Sequence, residues 1–271
     1  MVECAAALLL VGLLLAHPAP AADPETPADD GEELPTSAVL EHDGSTLPAI
    51  EEPFRPGESL KFSVQYGFIH AGNAWLEVGN VRTFEGRMVY ELVARAESNG
   101  FFDHVYKVRN RIESYWDTTG HYSLRDAESS PEGKFKTKSE VLFDYDRQQA
   151  VYDDGQTAPI PPDVQDALSS FYFTRTQALP LGGSVYFDYH ASKKSQPMEV
   201  KVLGKERVHT PAGDFDCVVI EPVLPSGGIF KNKGRLVIWL TDDARRMPVL
   251  MRSRVTIGSI SVQLVEAKPG T

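Results

Sequence analysis

The side chains that could carry chemistry are scattered along this sequence and form no recognisable catalytic or metal-binding motif. The seven histidines stand singly, without the H-x-H, H-E-x-x-H or Cys/His spacing that marks a metal site. Serines are frequent, but none sits in a G-x-S-x-G nucleophile elbow. Asp144 and Asp146 alternate along a predicted strand, as solvent-facing acids commonly do, and do not define a glycosidase pair. The sequence therefore predicts no metal site, no cofactor and no enzymatic activity.

Neither of the two cysteines is predicted to be reactive. Cys4 precedes an apolar run, whereas the lipid-carrying cysteine of a bacterial lipoprotein must follow one. Cys217 lies in the strand-like stretch FDCVVI without a basic neighbour that would activate its thiol. We expect Cys217 to be buried in a strand.

One helical stretch, Asp163 to Leu179, interrupts a sequence that otherwise has the pattern of strands. Two prolines precede it, and Asp163 suits the N-cap or the first turn. Gly182 and Gly183 follow its end. The predicted apolar face contains Val164, Leu168, Phe171, Tyr172 and Leu179, and the predicted outward face contains Gln165, Ser169, Arg175 and Gln177.

Two charged residues in this stretch are too far apart for an i,i+4 pair. We expect Asp166 and Arg175 each to find a partner on the sheet or on a loop, which would fix the helix in place. A contact with a ligand is the alternative role for each of them.

The remainder of the chain predicts a mainly β fold. In the stretch LKFSVQY, Leu60, Phe62, Val64 and Tyr66 alternate with polar residues, and similar alternation recurs to the C-terminus. Regular strands separated by Gly, Pro and Asp turns favour an antiparallel meander over alternating strand–helix units. We therefore predict a curved sheet or open barrel, with the single amphipathic helix packed on or in its concave side.

The acidic charge belongs to an N-terminal segment and not to the predicted fold. All 27 Lys and Arg residues lie at or after Arg55, and 11 of the 38 acids precede it, which leaves 38 − 11 = 27 acids against 27 bases in the body. Residues 23–54 are rich in Pro, Asp and Glu and predict a disordered linker. A neutral body gives no indication of nucleic-acid binding.

Residues 1–22 have the features of an export signal. The run AAALLLVGLLLA is too short to span a bilayer comfortably, and Ala21 or Ala22 could end the signal. The stretch before the run lacks Lys and Arg, so a retained membrane anchor is the alternative. We predict a periplasmic or otherwise exported protein, without an integral membrane span after cleavage, whose single domain covers residues 55–268.

Four stretches resemble the domain-of-unknown-function family 3108 (DUF3108). QDALSSFYFTRTQALPLGGSVYFDYH fits its D-x-L-S-x-x-Y-x-x-R helix and the following turn and strand, and GESLKFSVQYGFIHAGNAWLEV resembles its opening strand. VHTPAGDFDCVVIEP and LVIWLTDDARRMPVLMRSRVTIGSISVQL are similar to its later turn and closing hairpin. The resemblance covers roughly Phe54 to Ala267. It implies an exported bacterial protein with a largely antiparallel β fold and no established activity.

Three classes of function are compatible with these patterns. The first is a binding or carrier module for a lipid-like or other apolar molecule, with a cavity lined by aromatic side chains. The candidate ligand-binding residues are Phe62, Tyr66, Trp75, Phe171, Tyr172, Arg175 and Trp239, with Tyr90 and Phe187 as further aromatics. The second class is an envelope scaffold acting through protein contacts, and the third is a hydrolase whose site is assembled from distant residues. An empty apolar cavity would favour the carrier, and a filled core with an exposed patch would favour the scaffold. A cleft that holds a histidine within hydrogen-bond reach of a carboxylate or a serine would favour the hydrolase.

Overall fold

A computed structural model describes residues 46–47, 52–104, 107–132, 135–223, 235–254 and 258–271. The predicted signal peptide and Cys4 lie outside these residues, as does most of the predicted linker.

The described residues form sixteen strands and two helices. The strands are β1 (Thr46–Leu47), β2 (Ser59–Tyr66), β3 (Ile69–Phe84), β4 (Arg87–Ser98), β5 (Arg109–Asp117), β6 (Ser123–Glu132), β7 (Phe135–Asp144), β8 (Gln149–Tyr152), β9 (Thr157–Pro159), β10 (Leu179–Pro180), β11 (Ser184–Ala191), β12 (Lys194–Thr210), β13 (Gly213–Val223), β14 (Leu236–Thr241), β15 (Pro248–Arg254) and β16 (Ser259–Lys268). The helices are α1 (Gly100–Asp103) and α2 (Ala167–Thr176).

Fourteen of the described strands form one antiparallel sheet in the order β11-β12-β13-β14-β15-β16-β2-β3-β4-β5-β6-β7-β8-β9. The first strand of this sheet along the chain, β2, lies in the middle, between β16 and β3. The sheet does not close, because β11 and β9 remain its edges. The predicted antiparallel meander and open architecture are confirmed.

Alternation along the strands sets which side chains face the core. Leu60, Phe62 and Val64 of β2 are buried, and the residues between them are half-buried. Irregular pairing at Val78 in β3 and at Gly204 in β12 adds residues to one strand of a pair, and such bulges bend a strand and increase its twist. The bending lets the long strands wrap around a common core.

Helix α2 lies inside this curve, against β4, β5 and β11. It begins at Ala167 with Asp166 as its N-cap, and not at Asp163, which has a positive φ of 57°. The Asp166 carboxylate accepts a hydrogen bond from the backbone N–H of Ser169 at 2.8 Å, which a residue at position 163 could not reach.

The predicted outward face of the helix is wrong. Gln165, Ser169 and Arg175 are completely buried. Burial is possible because the helix hydroxyls have internal partners: Thr174 Oγ1 donates to the Ser170 carbonyl at 2.8 Å. The helix is therefore enclosed on nearly all sides and is not amphipathic in the expected sense.

The last part of the predicted linker belongs to the folded body. Phe54 is 3% exposed and packs in the core, although the domain was predicted to begin at residue 55. Strand β1, also within the predicted linker, pairs with β10. An aromatic ring next to an acidic segment thus fills a core position. Disorder of the other linker residues stays a prediction.

Candidate functional site

An apolar cavity lies between α2 and the concave side of the sheet. The space inside it that the centre of a water molecule can occupy is about 60 Å³. One water needs roughly 10–15 Å³ by this measure, so the cavity has room for several. Helix α2 contributes one wall, and residues of eight strands contribute the others. The lining residues are Phe62, Ala74, Leu76, Ala94, Ala167, Leu168, Ser170, Phe171, Thr174, Tyr189, Met198, Val200, Ile220, Pro222, Ile238, Leu240 and Met251.

Two of the predicted ligand-binding residues line this cavity. Phe62 projects from β2 and is fully buried, and Phe171 projects from α2 and is half-buried. Phe62 faces the cavity from the sheet and Phe171 faces it from the helix, so the fold brings these two predicted residues together.

The other five predicted residues lie outside the cavity, and three of them are on strands of the sheet. Trp75 faces the other side of β3, where the Arg95 guanidinium lies 4.9 Å from its ring. Trp239 is buried, but its indole N–H donates to Glu206 at 2.9 Å, and it does not line the cavity. Tyr66, at the end of β2, is half-buried and packs against the core outside the cavity.

Most of the cavity wall comes from aliphatic residues that the aromatic pattern did not identify. Met198, Ile220, Ile238 and Met251 contribute walls from the C-terminal strands. Alternation within β12 was the signal for Met198, because every second residue of a strand faces the same side; Ile220, Ile238 and Met251 lie in runs of consecutive buried residues that carry no such signal. Ser170 and Thr174 are polar lining residues, but their hydroxyls donate to helix carbonyls.

The C-terminal end of α2 is held by a buried ion pair. The Arg175 guanidinium contacts the Glu58 carboxylate at 2.7 and 3.0 Å, and it also donates to the Arg245 carbonyl at 3.0 Å. Arg175 is fully buried, and its guanidinium lies over the rings of Phe54 and Tyr172 at 5.0 and 5.4 Å. The expectation that Arg175 has a partner outside the helix is confirmed, and both Arg175 and Tyr172 stabilise the helix position outside the cavity.

The N-terminal end of α2 is held by hydroxyl groups of the sheet. Ser114 Oγ in β5 donates to the Asp166 carboxylate at 2.5 Å, and the Asp166 backbone N–H donates to Ser123 Oγ at 2.8 Å. The predicted anchoring role of Asp166 is therefore also confirmed. These two ends fix α2 against the sheet.

A second carboxylate lies near this N-terminus. Asp126 is the register partner of Ser114, so both side chains stand on the same inward face. Burial raises the pKa of Asp126 well above its ordinary value, and the Asp166 and Glu128 carboxylates raise it further. Burial also raises the pKa of Asp166, and the hydrogen bond from Ser114 opposes that shift. Burial and both aspartates raise the pKa of Tyr189, so the cavity wall includes a protonated hydroxyl.

A histidine next to a serine occurs at the gap between the sheet edges. His190 in β11 contacts the Tyr152 hydroxyl of β8 at 2.6 Å and Ser195 Oγ at 2.8 Å. His190 is 3% exposed and outside the cavity. The three side chains connect β8, β11 and β12 near the two ends of the open sheet.

The predicted buried cysteine is confirmed, since Cys217 in β13 is 1% exposed. Burial raises the pKa of its thiol to about 12, which disfavours the reactive thiolate. In the part of the chain described, no group of three or more His, Cys, Asp or Glu side chains could hold a metal ion. Neither described helix combines the length and the apolar character that crossing a membrane requires.

Solved structures similar to this chain include three exported or uncharacterised bacterial proteins. A protein of Brucella abortus, described as a beta-barrel-like protein of domain of unknown function DUF1849, has a TM-score of 0.51 and 8% identity, with 80% of this chain and 99% of that chain covered. A candidate lipoprotein of Parabacteroides distasonis has a TM-score of 0.35 and 12% identity, with coverages of 82% and 99%. A candidate exported protein of Bacteroides fragilis with a YmcC-like fold has a TM-score of 0.33 and 12% identity, with coverages of 81% and 99%.

The Brucella similarity supports a barrel-like fold and carries no statement about function. Comparison with curated proteins gives no significant match. The sequence profile of a family described as "Protein of unknown function (DUF3108)" matches residues 61–265. That match covers more than half of the 271 residues and includes every residue that lines the cavity. The chain therefore belongs to the DUF3108 family.

Proposed function

We propose that this protein is a non-catalytic binding or carrier protein of the bacterial periplasm, and that it holds one apolar chain of a lipid-like molecule between α2 and the sheet. The observation that carries this proposal is the cavity, whose walls are almost entirely aliphatic and aromatic. Binding sites for apolar molecules have such walls, with few polar groups. Tyr189 supplies a hydroxyl that could hydrogen-bond a polar end of the ligand.

The size of the cavity favours a single slender chain. A volume of about 60 Å³ for water centres has no room for several acyl chains side by side. Met198 and Met251 line the cavity, and methionine side chains adapt their shape more readily than branched ones. A longer ligand would therefore enter by displacing these side chains and Phe171, which is half-buried on the helix.

The test is to fill the cavity without changing its surroundings. Ala94, which is 1% exposed and lines the cavity from β4, is replaced by leucine. Binding of the fluorescent fatty acid 11-(dansylamino)undecanoic acid is then titrated for the wild type and for Ala94→Leu. We expect roughly tenfold weaker binding, because displacing two CH₂ groups costs about 1.6 kcal/mol and 1.4 kcal/mol is tenfold.

The matched control is Ala127→Leu. Ala127 in β6 pairs with Glu113 on the outer face of the sheet, so leucine there leaves the cavity unchanged. Equal affinity of the wild type and Ala94→Leu, with the same urea unfolding midpoint, would contradict the proposal. Native mass spectrometry of protein purified from its own host, followed by lipid extraction, would then identify the natural ligand or find none.

The proposed location has its own test. Residues 1–22 should be absent from protein recovered outside the cytoplasm, and intact-mass analysis of that protein would detect any residue that remains before Ala19.

The scaffold alternative draws support from three exposed apolar side chains, Phe68, Ile69 and Phe101. The hydrolase alternative has less support, since His190 is only 3% exposed.

A further inference from the structure

Three large apolar side chains are exposed at one end of the sheet. Phe68 is 98% exposed, Phe101 71% and Ile69 55%. We call these three residues the rim patch. Such large exposed residues occurring together are a common feature of interaction surfaces.

The rim patch is built on two neighbouring turns. Phe68 follows Gly67 in the turn between β2 and β3, and Ile69 is the first residue of β3. Phe101 lies in α1, which directly follows β4. Because β3 pairs with both β2 and β4, the end of β4 lies beside the β2–β3 turn.

Hydrogen bonds fix these two turns to each other. The Asn99 backbone N–H donates to the Ala71 carbonyl at 2.9 Å, and the Asn99 side chain donates to the His70 carbonyl at 2.5 Å. On the other side, the Gly67 N–H donates to the Ser259 carbonyl at 2.9 Å. Phe102 is buried next to Phe101 and anchors α1 in the core. The apolar side chains of the patch are therefore held outward by a fixed backbone.

The charges around the rim patch suit an anionic surface. Lys107 follows α1 and Arg254 ends β15 at the same end of the sheet, and both are exposed. Asp103 is neutralised by Arg109, whose guanidinium lies 2.7 Å from its carboxylate. Glu97, at the end of β4, is half-buried and offsets one of the two exposed cations. Among the described residues next to the patch, Lys107, Arg109 and Arg254 against Glu97 and Asp103 give a formal net charge of 3 − 2 = +1.

We propose that the rim patch docks this protein on an anionic phospholipid bilayer. Its apolar residues project as points from two turns, a shape that can enter the interfacial layer of a bilayer without needing a complementary groove. Lys107 and Arg254 would lie next to the headgroups, where basic residues are attracted by anionic lipids. A second protein molecule would instead need a surface shaped to receive the projecting side chains.

The test is flotation of the exported protein with vesicles of phosphatidylcholine containing about one third phosphatidylglycerol, an anionic lipid of the kind that attracts basic residues. The double variant Phe68→Ser/Phe101→Ser removes apolar surface without changing charge. We expect at least about tenfold weaker partitioning, since fully burying a phenylalanine side chain is worth more than the 1.4 kcal/mol that corresponds to tenfold. All the proteins compared have the same N-terminus, so a difference in their vesicle binding comes from the rim patch.

The matched control is Met88→Ser/Val265→Ser. These residues are 51% and 37% exposed and lie in β4 and β16, away from the rim patch. The control should float like the wild type, and so should the cavity-filled Ala94→Leu, because docking does not require a ligand in the cavity. Failure of ligand binding and failure of docking are thereby distinguished.

Three results would overturn the docking proposal. They are a wild type that does not float with these vesicles, a double serine variant that floats equally well, and a wild-type dimer in sedimentation analysis that the double variant converts to a monomer. The last result would assign the patch to contact with a second copy of the chain.

Discussion

His190 has a chemistry set by its position between the two ends of the open sheet. A neutral imidazole can accept a hydrogen bond at one ring nitrogen and donate one at the other, which matches a tyrosine hydroxyl at 2.6 Å and a serine hydroxyl at 2.8 Å. Burial lowers the pKa of His190 from 6.5 to about 4. The imidazole therefore stays neutral in the folded protein at pH values at which it is protonated in the unfolded chain.

Acidification should weaken the fold through this residue. The unfolded chain binds more protons than the folded protein between pH 6.5 and about 4, so this stabilising contribution is present above pH 6.5 and is lost as the pH falls towards 4. Between pH 7 and pH 5 the loss should be about 2 kcal/mol in the free energy of unfolding. Urea denaturation of the wild type and His190→Gln at both pH values measures it.

The variant serves as the control for other titrating groups that face the same interior. Asp126 and Asp166 have raised pKa values, and so contribute in the opposite direction as the pH falls. Asp154 pairs with Lys193 near Tyr152, and its pKa is lowered by that hydrogen bond. The wild type and His190→Gln share these groups. The difference between their pH-dependent changes in the free energy of unfolding therefore measures the contribution of His190. An equal decrease in both would show that His190 does not titrate as inferred.

The predicted site residues show what alternation can reveal. Trp75 and Glu77 are two positions apart in β3 and therefore lie on the same face, whereas Leu76 between them lines the cavity. The charged Glu77 was thus a sign that Trp75 faces away from the cavity. Strand β14 offers no such sign. All six of its residues are buried, and a strand covered on both faces shows no alternation from which to place Trp239.

Helix α2 is positioned by interactions that its own sequence cannot reveal. Glu58, the partner of Arg175, is 117 positions away along the chain. Ser169 and Thr174 can be buried because their hydroxyls have partners: the Ser169 hydroxyl bonds to the Ser123 hydroxyl, and the Thr174 hydroxyl donates to the helix backbone. A helix between Pro162 and Gly182 was predictable from caps and breakers, but its burial on nearly all sides was not, because serine and arginine are ordinarily surface residues.

Removing one partner of the buried ion pair should strongly destabilise the protein. Arg175→Met leaves the Glu58 carboxylate buried without its cation, and we expect a loss of about 3–5 kcal/mol in the free energy of unfolding. The double variant Glu58→Gln/Arg175→Met removes the buried charge and should recover part of that loss. Urea denaturation of the wild type, both single variants and the double variant gives the coupling energy.

A surface pair provides the comparison for this cycle. Arg207 and Asp216 lie 3.4 Å apart with side chains 67% and 72% exposed, so Arg207→Met should change stability little. If Arg175→Met were as mild as Arg207→Met, the ion pair would not be what holds the helix.

Phe54 connects helix α2 to the sheet at one end of the described fold. The ring of Phe54 lies 4.9 Å from Tyr172, 5.7 Å from Tyr90 and 5.9 Å from Trp116, so it joins α2 to β4 and β5. The C-terminus meets the same segment, since the Thr271 N–H donates to the Pro56 carbonyl at 3.0 Å. Phe54 and Thr271 therefore both contact the folded body.

Phe54→Ala should destabilise the whole fold and not merely a terminus. Truncating a buried phenylalanine to alanine typically costs about 3–5 kcal/mol through lost contacts and a residual cavity. Calorimetry or urea denaturation should show one shifted transition. Phe68→Ala is the matched control, because a side chain that is 98% exposed should contribute less than about 0.5 kcal/mol. A separate early transition in Phe54→Ala would show that the segment is an independent appendage.

The central position of β2 determines when this fold can be completed during synthesis. The strands β2 to β9 and β11 to β16 form two runs of neighbours in sequence, and within the described residues these runs are joined in the sheet only where β16 pairs with β2. Val64 must wait for Val262, its register partner, to leave the ribosome, and closing so long a loop is entropically costly and slow. A chain interrupted before Ser259 would therefore keep an unpaired edge on β2 and another on β15, and such edges invite pairing with other nascent chains.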